Sequence, residues 1–87
     1  MGKQIIDFWG DGCGNCKILS PIIDQIAGEY PDIKITKLNI KEAPDEVTKY
    51  GVTSLPTLVF LKDGTDVGRM MGLRPKSLIA KKIAEVF

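Results

Sequence analysis

Two cysteines separated by two residues are the side chains of this 87-residue sequence whose types and spacing suggest chemistry. Cys13 and Cys16 form a Cys-x-x-Cys motif, and the chain contains no further cysteine and no histidine. Thiols at this spacing can close into a small disulfide ring and open again. The lack of histidine excludes Ser/His and Cys/His nucleophilic sites, and two thiols alone cannot fill the four positions of a zinc site.

The motif lies between the first predicted strand and the first predicted helix. Unpaired N–H groups and the positive end of the helix dipole favour a thiolate at a helix N-terminus, and there a cysteine pKa falls from about 8.5 to roughly 3.5–7.5. This placement predicts that Cys13 is the nucleophile and that Cys16, one turn into the helix, is the resolving thiol. An inert pair, a static disulfide, and half of a metal site that bridges two chains remain as alternatives.

Two charged residues bear on the same chemistry. Asp7 lies on the first predicted strand, on the face shared by Ile5 and Trp9. A carboxyl group among apolar residues has a raised pKa, which suits a proton acceptor for Cys16. The alternative is a carboxylate at a strand end that reaches water. Lys37, on the second predicted strand, is either a partner of Asp7 or a solvated surface lysine.

The elements that must position these residues follow from hydrophobic periodicity. Alternation predicts the first two strands, a short apolar run predicts the third, and the fourth follows a predicted hairpin. Apolar residues recurring mostly at spacings of three and four predict the first helix, and two further helices follow. An Asp63-Gly64 pair predicts a two-residue hairpin between the last two strands. In chain order, the elements span residues 4–9, 15–30, 33–40, 44–50, 57–61, 65–71 and 75–87. The order β-α-β-α-β-β-α predicts one α/β domain over residues 1–87, with a four-stranded mixed sheet covered on both faces.

Apolar stripes predict which side of each long helix faces the sheet. Pro21 lies inside the first helix, where we expect a kink near Lys17 and not a helix end, because the stripe continues beyond it. The inward residues predicted for the first and last helices are Ile18, Leu19, Ile22, Ile23, Ile26 and Tyr30, and Leu78, Ile79, Ile83, Val86 and Phe87.

Charge and hydropathy exclude several classes of partner. The net charge of +1 gives no electrostatic basis for binding nucleic acid or an anionic membrane. The longest uninterrupted apolar run is the four residues 58–61, far short of the roughly 20 residues of a membrane-spanning helix. The first seven residues lack the apolar core of a secretory signal. We therefore expect a cytoplasmic protein that acts on neither nucleic acid nor membrane. We also expect a monomer.

The sequence resembles the thioredoxin family over nearly its whole length. Residues 7–17 read DFWGDGCGNCK, and with Pro21 five positions after the second cysteine they resemble the active-site segment of that family. The family's extra N-terminal strand and helix have no counterpart, so the chain resembles a trimmed core of glutaredoxin size. Further resemblance is carried by residues 37–40, 49–58 and 62–64 and by Gly72.

The resemblance implies a thioredoxin-like fold and a thiol–disulfide oxidoreductase that reduces protein disulfides through Cys13 and Cys16. It implies disulfide-containing partner proteins, a reductase or small-thiol reductant, and no bound cofactor or metal. Asp7 would be the buried acid that assists Cys16, with Lys37 as its neighbour.

Substrate-binding residues are also implied by the resemblance. Pro56 would be cis and beside the disulfide, and the backbone of Ser54 and Leu55 would hold an extended substrate segment by strand-like pairing. Trp9 would pack under the active site, and Gly72 would leave room for a partner.

The chain departs from the family pattern at the cysteines themselves. Gly12 stands where the family usually has tryptophan, so the implied docking face loses an aromatic group. Gly14-Asn15 replaces the usual Gly-Pro, and the N–H and side-chain amide of Asn15 are potential donors to a Cys13 thiolate. We therefore expect a more stabilised thiolate and a less reducing couple than the Gly-Pro form.

Two other functions are open at this point. The first is a glutaredoxin-like electron donor, for example to ribonucleotide reductase, that glutathione or a specific reductase recharges. The second belongs to a different class: a non-catalytic binding module or a thiolate-bridged metal dimer.

Overall fold

A computed structural model describes residues 2–87 and contains the seven elements in the predicted order. Each predicted element end lies within one residue of the observed end. The prediction of a β-α-β-α-β-β-α chain is therefore confirmed. In sequence order the elements are β1 (Lys3–Trp9), α1 (Gly14–Glu29), β2 (Ile33–Asn39), α2 (Pro44–Lys49), β3 (Thr57–Lys62), β4 (Thr65–Met71) and α3 (Lys76–Val86).

The four strands form one mixed sheet in the order β2-β1-β3-β4. β1 pairs with β2 in parallel and with β3 antiparallel, and β3 pairs antiparallel with β4. β1 therefore has a neighbour on each side, and its residues Ile5, Ile6, Asp7 and Phe8 are all buried. Because the cysteine motif follows β1 directly, the sheet fixes the motif at the carboxyl end of an inner strand.

Two hydrophobic cores lie on opposite faces of the sheet, as the alternation along β1 and β2 predicted. α1 and α3 cover one face, where Ile5 is buried, and α2 lies against the other, where Ile6 and Phe8 are buried. The buried members of the first core are Ile5, Leu19, Ile23, Ile26, Ile33, Leu58, Phe60, Ile79 and Ile83. Those of the second core are Ile6, Phe8, Val59 and Leu61.

α1 begins where Cys13 acts as the N-cap residue and ends before Tyr30, whose backbone N–H donates to the carbonyl of Ile26. Pro21 lies within this helix and does not end it, as predicted. The expected kink near Lys17 stays a prediction.

Two residues assigned to the apolar stripes are exposed, so their predicted inward positions are wrong. Ile18 is 55% exposed and Leu78 is 45% exposed. Successive residues of a helix are rotated by about 100°. On this spacing, each of the two residues lies well over a quarter turn from the centre of the buried residues of its helix, at the edge of the apolar stripe. An apolar side chain at the edge of the stripe is exposed to solvent where the sheet below the helix does not extend far enough to cover it.

The predicted hairpin between β3 and β4 is confirmed. Asp63 and Gly64 have positive φ angles of 51° and 80°, which the two-residue turn with the right twist requires. Lys62 and Thr65 pair across it. Within residues 2–87, none of the helices combines the length and hydropathy needed to cross a bilayer.

Candidate functional site

The two cysteines are joined at the start of α1. Cys13 and Cys16 form a disulfide with their Cα atoms 5.3 Å apart. The backbone N–H of Cys13 donates to the carbonyl of Gly10 at 3.3 Å, and the N–H of Lys17 donates to the carbonyl of Cys13 at 3.4 Å. These bonds tie the loop after β1 to the first turn of α1 and hold the sulfurs at the helix N-terminus.

The two sulfurs have different surroundings. Cys13 is half-buried, whereas Cys16 is 5% exposed. The Sγ of Cys13 accepts the backbone N–H of Cys16 at 3.2 Å, and the first turn of α1 carries no acidic residue. This N–H and the helix dipole both favour negative charge on Cys13. Within residues 2–87 the two potential donors of Asn15 do not reach this sulfur in the disulfide form.

Asp7 is buried in the strand that leads to the disulfide. It is 2% exposed, and its Oδ1 has no hydrogen-bond partner among residues 2–87. Burial raises the pKa of Asp7 from 3.8 to about 6, while the charge of Lys37 lowers it and that of Asp24 raises it. The predicted raised pKa is thus confirmed, and the alternative of a strand-end carboxylate in water is wrong.

Lys37 lies beside Asp7 along the sheet, but the ion pair between them, one of the two roles left open for Lys37, is absent from residues 2–87. The Cα atoms of the two residues are register partners between β1 and β2. The Lys37 ammonium instead donates to Ser20 Oγ at 2.8 Å and to Asp24 Oδ1 at 2.7 Å. Sequence reasoning missed Ser20 and Asp24, although their separation of four residues on α1 places both on one helix face.

A cleft of about 580 Å³ connects Asp7 with Cys16. Both residues line it, so the buried carboxyl and the buried sulfur share one opening to solvent. Trp9, which is half-buried, forms part of its wall as expected for a residue under the active site. The complete lining is Asp7, Trp9, Gly10, Asp11, Gly12, Cys16, Lys17, Ser20 and Lys37.

The segment before β3 contains the cis peptide bond that the resemblance implied, between Leu55 and Pro56. Thr57 Oγ1 donates to the carbonyl of Ser54 at 2.7 Å, and the backbone N–H of Gly72 donates to the carbonyl of Pro56 at 2.8 Å. Pro56 is buried, Leu55 is half-buried and Ser54 is exposed. These two hydrogen bonds fix the segment on either side of the cis bond. Ser54 and Leu55 remain accessible to a partner.

Gly10 allows the two loops of the site to touch. A Cβ atom at this position would lie 2.9 Å from Leu55 Cδ1, so a larger residue would require the end of the Leu55 side chain to move. Sequence reasoning did not identify Gly10, and its position directly after a buried strand was the available signal. Gly10 thus lets the cysteine loop lie close to Leu55 of the cis-proline segment.

The surface around the cysteines is open. Gly12 has a φ of +77°, and a Cβ atom at Gly12 or Gly14 would meet nothing within 4 Å. Gly12, Gly14 and Asn15 are all exposed. A bulky partner therefore meets backbone, and not an aromatic side chain, next to Cys13.

The described part of the chain contains no group of three histidine, cysteine, aspartate or glutamate side chains arranged to hold a metal ion.

Comparisons with known proteins agree with this geometry. A family model described as Thioredoxin matches residues 1–85. Thioredoxin 2 of Chlorobaculum tepidum is 43% identical over 82 residues, which cover 93% of this chain and 75% of that protein. The thioredoxin of Chlamydia muridarum is 39% identical over 84 residues, which cover 97% of this chain and 82% of that protein. The crystal structure of oxidised mitochondrial thioredoxin 3 from Saccharomyces cerevisiae has a TM-score of 0.88 at 34% identity, over 95% of this chain and 77% of that one.

Proposed function

Since the chain belongs to the thioredoxin family of thiol–disulfide oxidoreductases, we propose that Cys13 attacks the disulfide of a partner protein and that Cys16 then resolves the mixed disulfide. One observation carries this assignment: Cys13 is half-buried at a helix N-terminus, whereas Cys16 is 5% exposed. A partner disulfide can approach the first sulfur more readily than the second. Exchange proceeds through a mixed disulfide, so the accessible sulfur must react first.

In the first step, the Cys13 thiolate forms a bond to one sulfur of the partner disulfide. The other partner sulfur leaves as a thiolate and takes a proton from water. The N–H of Cys16, 3.2 Å from Cys13 Sγ, and the N-terminus of α1 support this step because both stabilise the attacking thiolate.

In the second step, the Cys16 thiol loses its proton to the Asp7 carboxylate and attacks Cys13 Sγ. The Cys13–Cys16 disulfide forms, and the second partner sulfur leaves as a thiolate. Two electrons have then passed to the partner. Asp7 suits the role of acceptor because its pKa of about 6 makes it a stronger base than a solvated carboxylate, yet leaves it mostly ionised at pH 7.

The substrate of this reaction is an extended segment of a disulfide-containing protein. Ser54 and Leu55 border the cis-proline segment that Thr57 and Gly72 hold in place, and their position next to the disulfide loop suits strand-like pairing with such a segment. The reductant that restores the dithiol is a reductase or a small thiol. A cytoplasmic location stays a prediction.

Trapping with single-cysteine variants tests the order of the two steps. The Cys16→Ser variant should accumulate a covalent adduct with a disulfide substrate such as insulin, visible by mass spectrometry and lost on adding a strong reductant. The matched Cys13→Ser variant should form no adduct. An adduct formed by Cys13→Ser alone would reverse the assignment, and no adduct from either variant would overturn it.

A coupled assay distinguishes the reductants. The disulfide form is offered NADPH with a flavoprotein thioredoxin reductase, or glutathione at millimolar concentration, and reduction is followed by thiol titration. Faster reduction by the flavoprotein supports a thioredoxin-type role. Faster reduction by glutathione supports the glutaredoxin-like alternative.

A further inference from the structure

We propose that Asp24 is a positioning residue for this reaction: together with Ser20, it holds the Lys37 ammonium against α1 and keeps it from pairing with the Asp7 carboxyl. The inference rests on the proposed role of Asp7 as proton acceptor for Cys16. It concerns a residue that touches neither sulfur.

The backbone alone would bring Lys37 and Asp7 together. Their Cα atoms are register partners on adjacent parallel strands, and both side chains line the cleft beside Cys16. Side chains at such positions point to the same face of a sheet and lie within reach of each other. An ammonium group in this place would ordinarily pair with the buried carboxylate beside it.

The ammonium instead points to the helix. Lys37 Nζ lies 2.7 Å from Asp24 Oδ1 and 2.8 Å from Ser20 Oγ, while Asp7 Oδ1 is left without a hydrogen-bond partner among residues 2–87. Lys37 thus has two carboxylates nearby, and it pairs with the exposed one, Asp24 on α1. Asp24 is 67% exposed at its side chain, so the pair adds little to folding stability. Its effect is on where the positive charge lies.

Of the charged groups near Asp7, those that shift its pKa are Lys37 and Asp24. β3 places the apolar Leu58 opposite Asp7. The charged residues of the cysteine loop and of α1 that share the cleft are Asp11, which pairs with Lys41 at 3.3 Å, and Lys17. Cys16 is the remaining titratable group, and it is the proton donor in the proposed step.

Removing the negative charge of Asp24 should therefore change the basicity of Asp7. With Asn at position 24, the Lys37 ammonium loses its charged partner and gains most by turning to the Asp7 carboxylate, which then becomes a weaker base. Holding Lys37 on α1 thus preserves the ability of Asp7 to take the Cys16 proton.

The first test measures the pKa of Asp7 directly by carbon-13 NMR of its carboxyl group. We expect Asp24→Asn to lower this pKa by about one unit, a tenfold loss of proton affinity. Asp32→Asn is the matched control, because Asp32 forms a similarly exposed ion pair with Lys3 at 3.2 Å on another part of the surface. It should leave the pKa unchanged, and Asp24→Glu should restore most of the native value. An unchanged pKa in Asp24→Asn would overturn the proposal.

The second test separates positioning from the direct effect of the Asp24 charge. In a Lys37→Met background there is no ammonium to hold, so Asp24→Asn should lower the pKa of Asp7 by much less than in the native background. Such a difference in a double-mutant cycle measures coupling between the two residues. An equal shift of the Asp7 pKa in both backgrounds would show that Asp24 acts on Asp7 only through its own charge. That result would overturn the positioning role.

The third test connects the shift to chemistry. The rate at which Cys16 resolves a preformed mixed disulfide is measured against pH in the native protein and in Asp24→Asn. The acidic limb of the profile should move down by about the shift measured for Asp7, so that the variant is slower above pH 7 and faster below pH 5.5. A shifted pKa with an unmoved profile would support positioning by Asp24 and overturn the proposed role of Asp7.

Discussion

The two sulfurs of the disulfide lie in one helical turn but in different media. Cys13 is half-buried, caps α1 and accepts an N–H, whereas Cys16 is buried and lines the same cleft as the buried Asp7 carboxyl. The first environment stabilises charge through backbone dipoles. The second environment disfavours a thiolate at Cys16 because of desolvation, and it contains a carboxyl group that can accept the proton.

This difference shows how a chain without histidine can divide proton chemistry between two thiols. In the proposed mechanism, Cys13 supplies the thiolate because it lies at the helix N-terminus. Cys16 transfers its proton to Asp7 only when it attacks the mixed disulfide. On this proposal, one turn of α1 carries both an accessible nucleophile and a buried thiol that reacts only after the mixed disulfide has formed.

The largest effect that should separate the two sulfurs is their reactivity toward a small electrophile. In the reduced protein at pH 7, iodoacetamide should alkylate Cys13 about 1,000-fold faster than Cys16, because only the first has thiolate character and access. Peptide mapping by mass spectrometry after short exposure measures the ratio. In the unfolded protein the two rates should converge, and similar rates in the folded protein would contradict the proposed asymmetry.

A second expected effect concerns the cost of the buried carboxyl. The pKa of Asp7 is about 6 in the folded protein and 3.8 when unperturbed. The folded state therefore binds this proton more tightly, so its contribution to stability is present below pH 4 and is lost as the pH rises through 6. One pKa unit corresponds to about 1.4 kcal/mol, so the loss is about 3 kcal/mol.

Asp7→Asn should remove this dependence. Denaturant titrations of the oxidised form at pH 4 and pH 7.5 should show a fall in unfolding free energy in the native protein that the variant lacks. The variant should therefore be more stable at pH 7.5. Asp32→Asn, at an exposed carboxylate, should follow the native curve. A variant as pH-dependent as the native protein would show that Asp7 is not the titrating group.

The smallest expected effect concerns the residue between the cysteines. Asn15→Pro removes a potential N–H donor to the Cys13 thiolate in the reduced form, and proline is tolerated in the first turn of a helix. The redox potential should fall by roughly 30 mV, equivalent to 1.4 kcal/mol for two electrons. Equilibration against a dithiol buffer measures it. Asn15→Ala keeps the N–H and tests the amide alone, and a potential unchanged or raised by proline would refute the idea.

Most of the fold could be predicted from the sequence because local sequence patterns determine its strands, helices and turns. The alternation in residues 4–9 and the Asp63-Gly64 turn are short-range signals, and both are found as predicted. The position of the cysteines at a helix N-terminus follows from the same signals. Asp7 could be recognised as buried because its strand neighbours are apolar.

The fine arrangement of the site was not predictable in the same way. Lys37 has two carboxylates within reach, and the choice of Asp24 over Asp7 depends on how closely α1 approaches β2. The contact of Gly10 with Leu55 joins loops 45 positions apart in the sequence. Such contacts depend on tertiary distances, which periodicity does not encode.

The inner position of β1 has a consequence for the dynamics of the site. β1 is hydrogen-bonded on both sides and covered on both faces, so it cannot fray at an edge as β2 or β4 can. Asp7 therefore cannot relieve its desolvation by a small local opening. We therefore expect proton exchange at this carboxyl to occur through the cleft of the folded protein. We also expect the cost of burying Asp7 to be released only when the whole sheet unfolds.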